Sequence, residues 1–368
     1  MNRDLLEEAG WRPALAARFV PHEAEGLHPA RVAAELNHIY RLWTAEGEIL
    51  AEATGRMRHE AAGRHELPAV GDWVAFRPDP SAAPGAGRSA SHARIEAILP
   101  RTSVFTRKVA GSETKQQVVA ANIDTVFLVT SLDRDFNPRR VERYLLLAAQ
   151  SGARPVIILN KTDIAGSHVQ EAIDAIGEVA RAVAVHAISA KTTEGLDSLA
   201  PYLDRGQTVA LLGSSGVGKS SIINALAGEE LLRTRTVRES DSRGRHTSTH
   251  RQMVRLPAGA LLIDTPGMRE LQLWDVGETL NQAFDDVDAL APGCRFRDCR
   301  HKTEPGCAVK AAVAAGTLPA ERYESFLKLQ AERDAFDARH DERALIEEKR
   351  RSKIMGKALR TRLKEKGR

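Results

Sequence analysis

The sequence predicts a multi-domain protein with a small N-terminal β-barrel, a central α/β domain on a parallel sheet, and a C-terminal metal-binding domain with helices. Short apolar runs broken by turn residues fill roughly 35–108, as expected for a small barrel. From about Ile123 to Leu273, near-continuous apolar strands alternate with helical patterns, the mark of βαβ units. All three cysteines of the chain fall between Cys294 and Cys307. At 368 residues, 42% hydrophobic and 28% charged, the chain can bury two or three cores. It has no run of about 18 apolar residues, and MNRDLLEEAGWRP lacks the basic-then-apolar pattern of a secretory signal. A cytoplasmic location without a membrane segment is therefore expected.

Residues 1–34 give weak signals and form an N-terminal extension, helical or partly disordered. In 35–108 the runs LNHIYRLWT, GEILAEATGRM, AVGDWVAF and ARIEAILP are separated by GRH, VGD and the Pro/Gly/Ala/Ser-rich loop Pro78–Ser91. Trp43 and Trp73 lie in these runs and are read as core residues, with base stacking as their second reading. The α/β domain, 115–275, starts with DTVFLVTSL and PVIILNKTD, each followed by a helical pattern, and continues through AVAVHAISA, TVALLGSSG, SSIINALAG and ALLIDTPG. The cysteine segment and a charged helix from about Leu318 occupy 276–348. Residues 349–368 form a basic tail with ten Lys or Arg residues and one acid, Glu365; it is either a solvated helix or a contact for nucleic-acid phosphates.

Four motifs carry the chemistry. GSSGVGKS, Gly213–Ser220, sits between an apolar strand and a helical pattern, the context a phosphate loop requires. Its glycines Gly213, Gly216 and Gly218 let the loop wrap, so that backbone N–H groups from Gly213 through Ser214, Ser215, Val217 and on to Ser221 point at phosphate oxygens. Lys219 places a charge on the β- and γ-phosphates, and Ser220 offers its hydroxyl to Mg2+. NKTD follows a strand: Asp163 can accept two bonds from the guanine N1–H and exocyclic amine, Asn160 braces neighbouring loops, and the stem of Lys161 covers one base face. SAK, Ser189–Lys191, follows the next strand, with the Ala190 N–H in reach of guanine O6. In DTPG, Asp264 holds Mg2+ through water and the Gly267 N–H senses the γ-phosphate. Between these, SDSRGRHTSTHR occupies the place of a first switch, where Thr247 or Thr249 completes the Mg2+ shell. The position after Gly267, often a water-orienting glutamine, is Met268. His246 is therefore the candidate for orienting the attacking water, with a surface histidine as the other reading. Ordinary GTPases carry the phosphate loop first and NKxD later; this chain carries them in permuted order.

Cys294, Cys299, His301 and Cys307 form C-x4-C-x-H-x5-C. Three thiolates and an imidazole make a closed tetrahedral set, which points to structural zinc rather than to an open catalytic metal, and the metal would supply much of the local folding energy.

The permuted order, GRHTSTH and the cysteine pattern together resemble the ribosome small-subunit-dependent GTPases, the RsgA/YjeQ family, over about residues 35–330. PAVGDWVAF looks like that family's OB-fold signature and RTSVFTRK like its lead into the GTPase domain; Ser248 stands where the family usually shows Thr. The resemblance implies an OB-fold, a circularly permuted P-loop GTPase domain and a zinc-binding domain. It also implies GTP/GDP, Mg2+ and one Zn2+, and a monomer bound to the small (30S) ribosomal subunit and its rRNA. Turnover would be ribosome-stimulated, and hydrolysis would release the protein late in assembly. The alternative is a non-catalytic RNA-binding module with a guanine-nucleotide-sensing pocket, which Met268 keeps open.

Overall fold

The computed structural model describes residues 3–36, 38–78, 93–108, 116–133, 136–166, 168–180, 182–230, 251–264 and 284–331. The chain divides into two compact units, 1–272 and 273–368.

In the first unit, helices α1 (Arg3–Glu8) and α2 (Pro13–Ala24) precede five barrel strands: β1 (His28–Leu36), β2 (Ile39–Thr44), β3 (Gly47–Ala53), β4 (Trp73–Pro78) and β5 (Ala93–Ile98). Their order is β1-β2-β3-β5-β4, and β4 pairs back onto β1, closing the barrel. Closure removes the free edges that an open sheet would expose. Small Ala30, Ala51 and Ala93 face larger Tyr40, Leu42 and Phe76 in its core, the size alternation that a narrow barrel needs. A hairpin of β6 (Val104–Lys108) and β7 (Gln116–Ala121) then leads into the α/β sheet.

That sheet contains parallel β8 (Thr125–Ser131), β9 (Arg154–Asn160), β10 (Val185–Ile188), β11 (Thr208–Leu212) and β13 (Leu261–Asp264), with β12 (Arg251–Arg255) antiparallel to β13. The order β10-β9-β8-β11-β13-β12 places NKTD, SAK, the phosphate loop and the start of DTPG at the carboxyl ends of β9, β10, β11 and β13. Ligands of open α/β sheets bind at that edge. Every residue of β8 and β11 is buried, which is why these strands read as continuous apolar runs. Helix α4 (Pro138–Ser151) crosses from β8 to β9. Asn137 caps it by accepting from the Arg140 N–H at 3.3 Å, Pro138 begins it, and Gly152 at φ 81° ends it.

Barrel and α/β sheet are one hydrogen-bonded surface. β12 pairs with β13 on one side and with β1 on the other, through Ala34 opposite Gln252 and Glu35 opposite Arg251. The N-terminal segment reinforces this seam. Arg12 makes two 2.9 Å bonds to Asp124, and Glu8 lies between Arg205 at 3.0 Å and Arg255 at 2.7 Å. Arg31 of β1, only 2% exposed, donates to the carbonyls of Ala9 at 2.5 Å, Asn122 at 3.1 Å and Gly71 at 3.3 Å. Burial lowers its pKa to about 10, with the nearby Asp124 charge opposing the shift. It stays charged at neutral pH, and these acceptors compensate a cation removed from water.

In the second unit, α8 (Asp285–Leu290) leads into the cysteine segment, followed by α9 (Ala308–Ala314) and a helix from 320 to 331. Phe284 meets Phe326 edge-on at 5.5 Å, and Arg322 covers Phe284 while bonding Asp286. Among the described residues, no helix is long and apolar enough to cross a membrane.

Candidate guanine-nucleotide site and zinc cluster

The phosphate loop leaves β11 at Gly213 and enters helix α7 (Lys219–Ala227), whose N-terminal N–H groups and dipole favour an anion. Two of its glycines are required by packing. A Cβ on Gly213 would lie 2.4 Å from the Val129 carbonyl oxygen. One on Gly218, held at φ 97°, would lie 2.2 Å from the Asn160 amide nitrogen. Val217 is buried and anchors the loop in the core, while Ser215 and Gly216 are exposed at its tip and Ser220 and Ser221 are half-buried in the first turn of α7. The Lys219 Nζ donates to the carbonyls of Gly213 at 2.7 Å and Ser214 at 2.6 Å, so the cation that would meet phosphate is held by its own loop.

Asn160 joins the NKTD, SAK and GSSGVGKS loops. It is 2% exposed; its Nδ2 donates to the Val217 carbonyl at 2.8 Å and its Oδ1 accepts from the Ala190 N–H at 3.0 Å. The Ala190 amide, expected to meet guanine O6, is thus engaged inside the protein and must be shared or released when a base enters. Lys161 adopts φ 71°, and its Nζ contacts Asp133 at 2.6 Å; the Ser131 hydroxyl donates to the same carboxylate at 2.8 Å. The stem of Lys161 is therefore held at both ends. Fully buried Ser189 donates to Asp163 Oδ1 at 2.8 Å, and Lys191 Nζ lies 3.9 Å from the other carboxylate oxygen. The Ser189 hydroxyl in turn accepts from the Thr192 N–H at 3.1 Å, which fixes its direction.

Asp264 is the last residue of β13. His246, Thr247, Thr249, Gly267 and Met268 lie outside the described residues, as does the tail 349–368. Two residues near the loops escaped the sequence reading: Asp133, and Arg140, which donates to the Ser214 hydroxyl at 3.0 Å. Neither belongs to a motif. The one sequence signal was that both follow the carboxyl end of β8.

In the second unit, one ligand atom from each of Cys294, Cys299, His301 and Cys307 lies within 4.8 Å of the others. Cys294 and Cys307 Sγ are 3.9 Å apart, and His301 Nδ1 is 3.5 Å and 3.4 Å from them. A zinc tetrahedron with bonds of about 2.3 Å to sulfur and about 2.0–2.1 Å to nitrogen has edges of about 3.8 Å and about 3.6 Å. The residues fit zinc. Tyr323 donates to the His301 carbonyl and ties the cluster to the helix behind it. Trp43 and Trp73 are buried, and Trp43 donates to Glu48 at 2.7 Å, so both are core residues. Among the described residues, the large aromatic ring presented to solvent is Phe296, 41% exposed inside the cysteine loop, with the Arg295 guanidinium 5.6 Å from its centre.

Comparison with known proteins gives consistent matches. Residues 98–274 match the RsgA GTPase family. The chain is 50% identical over 336 residues, 91% of each chain, to a protein named small ribosomal subunit biogenesis GTPase RsgA from Opitutus terrae. It resembles the crystal structure of YjeQ from Thermotoga maritima at TM-score 0.61 and 26% identity, covering 83% of this chain and 98% of that one. YloQ, a circularly permuted GTPase, shares the fold at TM-score 0.59 and 24% identity, covering 84% and 96%.

Proposed function

Because the chain belongs to the RsgA GTPase family, we propose that this GTP hydrolase serves the assembly of the small ribosomal subunit, binding its rRNA as a monomer in the cytoplasm and leaving on hydrolysis. The observation that carries the nucleotide half is Asn160, whose side chain joins NKTD, SAK and the phosphate loop.

GTP would lie with its phosphates along the loop amides and Lys219, and with guanine between the Lys161 stem and Asp163. Ser220 and Asp264 would hold Mg2+, with Thr247 or Thr249 completing its shell; the ion supplies neutralisation of the charge that builds on the β- and γ-oxygens. Water attacks the γ-phosphorus in line, the bond to the β-phosphate oxygen breaks, and GDP and phosphate leave. His246 would orient that water, and Gly267 would register the lost γ-phosphate. Zinc on Cys294, Cys299, His301 and Cys307 would fold the loop that carries Phe296. Arg295 lies over that ring, and exposed Arg297, Arg300 and Lys302 share its segment of chain, which would combine backbone-neutralising charge with a stacking platform for an unpaired base.

The test is GTP turnover with and without purified small ribosomal subunits. Stimulation by the subunit is expected, and equal rates would overturn the ribosomal part of the proposal.

A further inference from the structure

Arg140 belongs to none of the four motifs, yet it touches the phosphate loop. Its backbone is set by the cap that starts α4, with the Asn137 side chain accepting from the Arg140 N–H, so its side chain leaves from a rigid first turn. Half-buried, it donates Nη1 to the Ser214 hydroxyl at 3.0 Å. The carbonyl of Ser214 meanwhile accepts from Lys219 Nζ at 2.6 Å. One serine therefore connects two cations, through its side chain to Arg140 and through its backbone to the motif lysine.

We propose that Arg140 is a positioning residue for nucleotide binding, holding the phosphate loop open in its anion-ready shape through Ser214. The proposal rests on the nucleotide-site assignment above. Gly213 is wedged against the Val129 carbonyl, and the Val217 carbonyl is held by Asn160. Between these anchors, Ser214 is tied by Arg140 and by Lys219. When Lys219 turns from the loop carbonyls to the β- and γ-phosphates, the tie it made to Ser214 is lost and the Arg140 bond remains. The charges of Arg140 and Lys219 meet at Ser214 and give the loop a positive potential, which an incoming polyphosphate relieves.

The experiment measures binding and release of fluorescent GDP and GTP, and steady-state turnover, for wild type, Arg140→Ala, Arg140→Lys, Ser214→Ala and the Arg140→Ala/Ser214→Ala double variant. Arg140→Ala should weaken both nucleotides about tenfold, the size of one charge-assisted hydrogen bond, with faster release and a loss that falls on KM more than on kcat. Ser214→Ala should show a smaller loss, and the double variant should bind no more weakly than Arg140→Ala, because both substitutions remove the same bond. Arg140→Lys keeps the charge on the same turn; it should lose less, and it is read in place of Arg140→Ala should that variant fold poorly. Affinity within twofold of wild type, or additive losses in the double variant, would overturn the proposal. Lys219→Ala is the control: if it too binds normally, the nucleotide site itself has been misplaced rather than the role of Arg140.

Discussion

Replacing Asn160 with alanine tests the joint on which the base site depends. The side chain makes two bonds, 2.8 Å to the Val217 carbonyl and 3.0 Å from the Ala190 N–H, at a position 2% exposed to solvent. Alanine removes both and takes the side-chain partner from a buried carbonyl and a part-buried amide. A net hydrogen bond contributes about 0.5–1.5 kcal/mol and an orphaned buried group costs about 1–3 kcal/mol. Because the two losses share one joint, we expect about 2–3 kcal/mol in total rather than their full sum. Both bonds lie within the protein, so the loss divides between folding and binding. If all of it fell on binding, GTP affinity would drop by about 30- to 150-fold at 1.4 kcal/mol per decade. If all of it fell on folding, the midpoint would drop by about 4–12 °C for a domain of this size. Isothermal calorimetry with GTP and thermal unfolding, run on the same preparation, read the two shares. Asn160→Asp should be at least as damaging, since it sets a carboxylate against the Val217 carbonyl. An alanine variant with GTP affinity within threefold of wild type and an unmoved melting midpoint would refute the reasoning.

Asp163→Asn should shift preference from guanine toward xanthine, because the amide can donate where xanthine carries a carbonyl; competition between GTP and xanthosine triphosphate reads it, and a variant still preferring GTP counts against the base-reading role. His246→Ala should leave GTP affinity near wild type while slowing subunit-stimulated turnover roughly ten- to a thousandfold; unchanged turnover passes the role to another group. Metal analysis should find one zinc per chain, and Cys299→Ser should lose it together with hydrogen-exchange protection around α9. Substoichiometric zinc in the purified wild-type protein would argue against the closed site.

What could be read from the sequence was chemistry packed into short windows. Lys219, Asp163 and Ser189 announce themselves because each stands in a fixed pattern at the end of an apolar strand, and the barrel and parallel sheet follow from run length and punctuation. The cysteine spacing named four candidate metal ligands, and the fold brings these four side chains together. Contacts between distant segments left no such trace. Arg31 is one basic residue in the run HPARVAAEL, and nothing nearby in sequence shows that its three acceptors are Ala9, Gly71 and Asn122. Arg140 reads as one of two arginines opening an amphipathic helix, and its partner Ser214 is 74 positions away. The weak signal of the N-terminal segment has the same cause, since its Glu8 and Arg12 find their partners at Arg205, Arg255 and Asp124.

The seam at β12 determines how this protein can be taken apart. Cutting between barrel and α/β sheet would leave Ala34 and Glu35 of β1 paired to β2 alone and leave β12 with a bare edge, open to pairing with another chain. Trimming residues 3–12 would be nearly as costly, because Arg31 would lose the Ala9 carbonyl and Asp124 its guanidinium. A fragment meant to isolate the barrel or the nucleotide domain would therefore expose surfaces built to stay covered. The smallest piece that keeps every strand satisfied in this unit runs from the first helix through β13, and the natural place to divide the molecule lies beyond it, where the chain passes into the cysteine unit.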